Sequence, residues 1–356
     1  MLRLATAGES HGPALVAILT GLPAGLVLDR DAIDADLKRR QEGYGRSPRQ
    51  QIEQDRVEVL AGLRHGRTLG TPLALVVRNV DHKNWTWGMS PWPPEGEPHG
   101  KGTKPVTLPR PGHADLAGVQ KYDLDDVRNA LERASARHTA VHVAAGAVGK
   151  ALLAAIGVEV AGSTVDEEGL RARIDEARAA RDTVGGIVEV RARNVPPGLG
   201  SYAAKDDRLD ARLAAAVMGI QAVKGVEIGE GFPLAGKFGS EAHDEIGVDR
   251  RRETNRAGGI EAGVSNGEEI VLRAAMKPLP TLMKPLRSVD LATGEAATAL
   301  VERSDVAAVE ALAVVAEAAV AWELAVAAHD KFGGDTVGDF AAAHRAYLKR
   351  IAVPGR

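Results

Sequence analysis

The apolar positions of the chain change period several times, and those changes outline its elements. Leu2–Ala7 is a short apolar run broken by Gly8-Glu9-Ser10-His11-Gly12, as expected of a strand that feeds a turn. Over Asp31–Gln41 the spacing becomes helical. Ile33 and Leu37 share a face, acidic residues open the segment and Lys38-Arg39-Arg40 close it, as the helix dipole favours. Val57–Ala61 and Leu73–Val77 read as strands separated by a turn at Gly66 and Gly70. Asp125–Ile156 is the strongest helical stretch, where Gly146 and Gly149 mark either a close packing contact or a break. Gly185–Arg193 and Glu269–Ala275 alternate like strands, Asp305–His329 is helical and Ala-rich, and Val337–Lys349 is a last amphipathic helix. Strands and helices mingle without a βαβ rhythm, so the pattern predicts an α+β fold. Asp-Thr-Val-Gly recurs at 182–185 and 335–338, too short to establish a repeat, and no linker divides residues 1–356, so a single domain is expected.

One stretch has no apolar period. Residues 81–110 hold six prolines and three of the four tryptophans, Trp85, Trp87 and Trp92. A loop of this length is unusual in a compact domain, and its tryptophans gain by burial, so it is read as a mobile cover, with a static surface excursion as the alternative.

Composition narrows the classes. Hydrophobic residues make up 44% and charged residues 26%, as in a soluble globular protein, and the net charge of −3 does not suggest a polyanion binder. With no cysteine, disulfides, thiolate metal sites and cysteine nucleophiles are excluded. No secretory leader pattern precedes the first glycine motif and no apolar run approaches a membrane span, so a cytoplasmic protein without membrane partners is expected.

Several polar constellations could carry chemistry. Ser10 and His11 sit between two glycines, where a tight turn brings an imidazole close to a ligand. Arg39, Arg40, Arg46 and Arg49 surround Gly43-Tyr44-Gly45, and guanidinium forks match phosphate and carboxylate. His113 lies in Arg110-Pro111-Gly112-His113-Ala114-Asp115, with Asp115 near enough in sequence to orient it. Glu132-Arg133-Ala134-Ser135-Ala136-Arg137-His138-Thr139 leads into the long helix; His138 and His142 have metal-compatible spacing, yet no carboxylate completes a motif and Glu132 is assigned to a different part of the surface. Thr254–Gly267 offers exposed amides to a phosphate or flavin but lacks the context of a dinucleotide fingerprint. A Ser-His-Asp hydrolase is possible on composition, but no Gly-x-Ser-x-Gly elbow is present.

Taken together and in this order, these motifs closely resemble the chorismate synthase family, with Lys224-Gly225-Val226-Glu227-Ile228-Gly229 and Thr254–Glu261 adding to the match from Met1 to about Asp335. The resemblance implies a β-α-β sandwich of two antiparallel sheets around helices. It further implies a 1,4-anti elimination of phosphate from 5-enolpyruvylshikimate 3-phosphate that needs reduced FMN without net redox change. By matching motifs, His11 protonates the departing phosphate with Ser10 beside it, His113 faces the flavin, and Asp305 serves removal of the C6 proton. Arg40 and Arg46 match arginines that bind NADP or substrate anions. The FMN set is Arg133, Ala134, Ser135, Gln221, Ala222, Ala262, Lys277, Pro278, Leu279, Pro280, Thr281 and Arg303. A homotetramer is implied, with NADPH a possible reductant and an external flavin reductase the expected route, since no reductase domain is appended.

Some positions depart from the family pattern: His138 replaces a glutamate, Ala262 a glycine, and Ala307 and Glu310 stand where cysteine and proline are common. The stretch 162–181 is shorter than in many relatives. These departures motivate one alternative, a flavin-binding tetramer without activity. The arginines around Tyr44 motivate another, a nucleic-acid binder, which lacks interleaved aromatics and overall basic charge.

Overall fold

The computed structural model describes residues 1–46, 54–284, 286–300 and 305–352. Its principal elements, in chain order, are β1 (Arg3–Ala7), β2 (Ala14–Thr20), α1 (Arg30–Gln41), β3 (Val57–Ala61), β4 (Leu73–Arg78), α2 (Asp115–Tyr122), α3 (Arg128–Ala134), α4 (Thr139–Ala154) and β5 (Glu159–Thr164). They continue with α5 (Glu167–Ala179), β6 (Gly186–Arg193), α6 (Leu209–Met218), β7 (Val223–Ile228), β8 (Ile270–Met276), α7 (Val309–Phe332) and α8 (Val337–Ile351).

Two four-stranded antiparallel sheets form, in the orders β1-β2-β4-β3 and β5-β6-β8-β7. In each, the fourth strand in the chain is inserted between the second and third. The helices recur in step: α1 and α6 each follow the second strand, while α4 and α7 follow the fourth. The chain therefore repeats its topology without repeating its sequence. Strand alternation turns one face of each sheet inward. Leu15, Ala17 and Leu19 of β2 are fully buried, as are Leu73, Leu75 and Val77 of β4, while β8 buries Ile270, Leu272, Ala274 and Met276. Both inner faces belong to one continuous core that encloses α4 and α7.

The contact between α4 and α7 explains the two helix glycines. A Cβ on Gly146 would lie 2.5 Å from Ala318 Cα, and one on Gly149 3.0 Å from Trp322 Cα, so the backbones approach where side chains are absent. Helix α7 is long and apolar enough to cross a bilayer, but 89% of its most apolar window is buried inside the protein. Charge also stands at this core, where Asp36 and Glu317 share Arg39 and Lys150. Glu317, 2% exposed, receives both Nη atoms of Arg39 at 3.0 and 2.9 Å, Lys150 Nζ at 2.7 Å and the Gly162 amide at 2.8 Å, tying α1, α4, α7 and β5 together.

The helix expected over Asp125–Ile156 is instead two helices. At Ser135 the backbone is extended, and its hydroxyl accepts from Arg137 N at 3.3 Å, so the serine ends α3 and caps the following turn. That break carries Ala134, Ser135 and Ala136 to the surface of a cleft. The helix expected from Asp305 starts only at Val309; ahead of it, Val306 N donates to Gly45 O instead of joining the helix.

Candidate active site

A cleft of about 820 Å³ opens where turns from both halves of the topology converge. The β1–β2 turn supplies Ser10 and His11. Gly8 adopts φ of +113°, and a Cβ there would strike Ala14 O at 2.5 Å, so the turn requires glycine. Asn79 braces the turn by donating to Glu9 O and Gly12 O at 3.1 and 2.7 Å. His11 is stacked on Trp85, with centroids 4.0 Å apart and planes 21° from parallel. Its Nδ1 lies 2.9 Å from Glu132 Oε1, and Ser10 Oγ donates to the same carboxylate. Glu132 faces the Ser10–His11 turn, apart from His138 and His142 as expected, but it is buried there and not on the surface, its acceptors being filled by that turn. Burial raises its pKa, but the His11 and Ser10 hydrogen bonds prevail and hold it below the usual range.

His113 has a parallel arrangement. Its Nδ1 is hydrogen-bonded to Asp115 Oδ1, and Asp115 also accepts from Arg110 Nε at 2.8 Å. Burial opposes ionisation of Asp115, yet His113 and Arg110 outweigh it and hold the acid well below the carboxylate range. Arg110 continues to Thr281 Oγ1 at 3.1 Å, while Lys277 Nζ donates to Gly112 O, so the 277–281 segment is bound to the His113 turn. Each cleft histidine is thus anchored through Nδ1 by a buried carboxylate.

A third buried acid organises the arginines. Asp55 accepts from Arg40 at 2.6 Å and from Arg137 at 2.5 Å. Arg46 pairs with Asp305 at 2.9 Å. Burial lowers the pKa of Arg40 and Arg46, with Asp55 and Asp305 opposing, and Nε of each is shut from solvent without a hydrogen-bond partner among the described residues. Among the described residues, six cations line the cleft (Arg40, Arg46, Lys101, Arg110, Arg137 and Lys277) against two carboxylates, Asp81 and Asp305. Such a surface suits a ligand with several negative charges.

The cleft brings together Ser10, His11, His113, Asp305, Arg40, Arg46, Ala134, Ser135, Gln221, Ala222, Lys277, Leu279, Pro280 and Thr281. Pro278 is not among its lining residues, and Arg133 points to the Thr6 and Gly8 carbonyls and to His138. Ala262 is exposed in the β-turn between Glu261 and Val264 and does not line the cleft. Arg303 and Arg49 lie outside the described residues. Among the described arginines, Arg39 is held by Glu317 and Arg40 and Arg46 are largely buried, so these three do not form the exposed basic face a nucleic acid would need. Glu310 accepts from Tyr44 N at 3.2 Å and Ala307 is fully buried. From the proline-rich stretch, Asp81 and Lys101 line the cleft and Trp85 is buried, whereas Trp92 is 78% exposed.

Sequence reasoning missed Glu132, Asp55, Arg137 and Trp85 as parts of this site. Only Arg137 and Trp85 had a local signal, in the Ser-Ala-Arg run and the tryptophan-rich stretch.

Comparison with known proteins bears on this geometry. The chorismate synthase family profile matches residues 2–167 and 163–328. Chorismate synthase of Rubrobacter xylanophilus is 51% identical over 99% of this chain and 97% of its own, and that of Geobacter sulfurreducens is 50% identical over 99% of each. A crystal structure of chorismate synthase superposes with a TM-score of 0.78 at 37% identity, covering 98% of both chains. With the whole chain matched in sequence and in fold, the protein belongs to the chorismate synthase family.

Proposed function

We propose that the cleft catalyses the family's lyase reaction, the 1,4-anti elimination of phosphate from 5-enolpyruvylshikimate 3-phosphate to chorismate, the last common step of the shikimate pathway. The observation that carries this reading is the convergence of two Nδ1-anchored histidines, six cations and Asp305 in one cleft. The C3–O bond to phosphate and the C6–H bond break, a new double bond forms, and there is no net redox change. Arg40, Arg46 and Arg137 hold the phosphate and carboxylates, because guanidinium forks already oriented by Asp55 and Asp305 cost little to reorganise. His11 gives a proton to the departing phosphate, with Ser10 beside it, and Asp305 assists loss of the C6 proton.

The residues fit reduced FMN. The volume lies in the roughly 300–1,000 Å³ range of cofactor sites. The cationic lining, Arg40 and Arg46 included, suits an anionic ligand, and Ala134, Ser135 and Ala222 leave a flat ring room to approach. Ala134, Ser135, Gln221, Ala222, Lys277, Leu279, Pro280 and Thr281 would hold it, with His113 in the same lining and Pro278, Arg133 and Arg303 assigned by motif. When bound, reduced FMN supplies electron density that is lent and recovered. His113 holds a proton at Nε2 toward that side of the cleft.

The protein is further assigned as a cytoplasmic homotetramer whose flavin is reduced by an external reductase, with NADPH the alternative reductant at Arg40 and Arg46. Phe232, Phe238 and Val248, exposed by 79, 80 and 99%, support burial against further subunits. The test is chorismate formation under anaerobic conditions with chemically reduced FMN, repeated with NADPH and oxidised FMN. Product in the first assay is expected; its absence from a folded tetramer that binds FMN would overturn the reading.

A further inference from the structure

Glu132 lies 121 residues from His11 in sequence, yet its whole carboxylate is spent on the His11 turn. Oε1 meets His11 Nδ1 at 2.9 Å; Oε2 takes the His11 amide at 2.9 Å and the Ser10 hydroxyl. The remaining contact, from Arg128 Nη1, is longer at 3.4 Å. A carboxylate that is 2% exposed is costly to bury unless its acceptor sites are filled, and here the filling groups belong mainly to one residue and its neighbour. On its flat side the imidazole rests on Trp85. That indole is fixed in turn: its Nε1 donates to Asp81 Oδ2 at 2.9 Å, Asp81 accepts from Asn84 at 2.6 Å, and the Arg128 guanidinium lies 5.0 Å from the Trp85 centroid. The imidazole is therefore confined both in tilt and in rotation.

We infer that Glu132 is a positioning residue for His11, fixing the tautomer with the proton on Nδ1 so that proton exchange with a ligand in the cleft runs through Nε2, while Trp85 holds the ring plane. Which nitrogen of a histidine exchanges its proton is set by what the other nitrogen meets. An anion on Nδ1 also stabilises the imidazolium, the form that has a proton to give. During elimination the imidazolium transfers its Nε2 proton to the leaving phosphate oxygen and becomes neutral, and Glu132 stays ionised throughout. This assignment rests on the proposed function for its chemistry, though not for its geometry.

The test pairs activity with a direct reading of the ring. In protein labelled with 15N-histidine, with His11→Asn used to assign the signals, the wild type should show His11 protonated on Nδ1. Glu132→Gln should mix or reverse the tautomer. It should also lower kcat by ~10²- to 10⁴-fold with little change in KM and move the His11-dependent limb of the pH–kcat profile to lower pH. Glu132→Asp keeps the charge and should recover part of each effect; it also carries the comparison if the glutamine variant does not fold. Trp85→Phe, which keeps a flat wall, should retain the wild-type tautomer. An unchanged His11 spectrum and unchanged pH limb in both Glu132 variants would overturn the inference. Failure of the wild type to form chorismate would instead strike the proposed reaction, because the nitrogen spectrum needs no turnover.

Discussion

Arg46 and Asp305 meet inside the cleft at 2.9 Å, with only about a tenth of each side chain exposed. A charge that loses its partner in such a place keeps the burial cost and forfeits the attraction. Arg46→Ala should therefore cost about 3 kcal/mol of stability and weaken binding of the phosphorylated substrate at least tenfold. Denaturant unfolding and steady-state kinetics read the two effects separately, and a variant with wild-type values in both would show that the pair does not matter.

The two histidines should be individually necessary. His11→Ala and His113→Ala are each expected to lower turnover by at least about tenfold, the low end of general acid–base contributions. Wild-type rates in both purified variants would remove the roles assigned to them.

Acid should destabilise the fold in two windows. Burial, then His142 and Arg133, lower the pKa of His138 to about 4. The unfolded chain takes up this proton from about pH 6.5 and the folded one resists it. The stability His138 contributes is thus complete above pH 6.5 and is lost as pH falls toward 4, at no more than ~1.4 kcal/mol per pH unit. Asp81 has the carboxylate version: burial raises it, but Asn84, Trp85 and Lys101 prevail and hold it at about 2, so its contribution is lost between about pH 4 and 2. His138→Gln should make the upper window shallower and leave the lower one unchanged when melting temperature is followed against pH; His142, His329 and His344, which burial also holds below the usual range, supply the rest of the upper window.

Two packing substitutions should be costly for different reasons. Glu317→Gln removes one of the two carboxylates that neutralise Arg39 and Lys150, leaving Asp36, and should cost about 3 kcal/mol. Gly146→Ala drives a methyl into the backbone at Ala318 and should cost about 1–3 kcal/mol. Either variant unfolding at the wild-type denaturant midpoint would contradict the packing described.

Ala262→Gly should stabilise the protein. Ala262 has φ of +51° in a two-residue turn, where an L side chain costs roughly 1 kcal/mol and glycine nothing. The melting temperature should rise while turnover stays unchanged; a fall in turnover would place this turn nearer the chemistry than the cleft lining suggests.

How far the site can be read without coordinates depends on how far apart its partners lie. Asp115 is two residues from His113, so its orienting role was legible. Glu132 and Asp55 were not, because each acts on residues brought to it only by the fold. The strands were legible because alternation is local. The bend at Ser135 was hidden by helix-favouring neighbours on both sides, and the repeated topology left no trace in residue identity. The family motifs supplied the site residues that physical pattern alone left ambiguous.

The central place of α7 also constrains the protein's synthesis. Val309–Phe332 leaves the ribosome roughly 10–35 s after Ala154 at ordinary elongation rates. Until then the apolar flank of α4 and the inner face of the second sheet lack their main cover. The nascent chain thus carries its stickiest surface for about half of its own translation, and a message truncated before residue 309 would yield a chaperone client rather than a smaller folded protein.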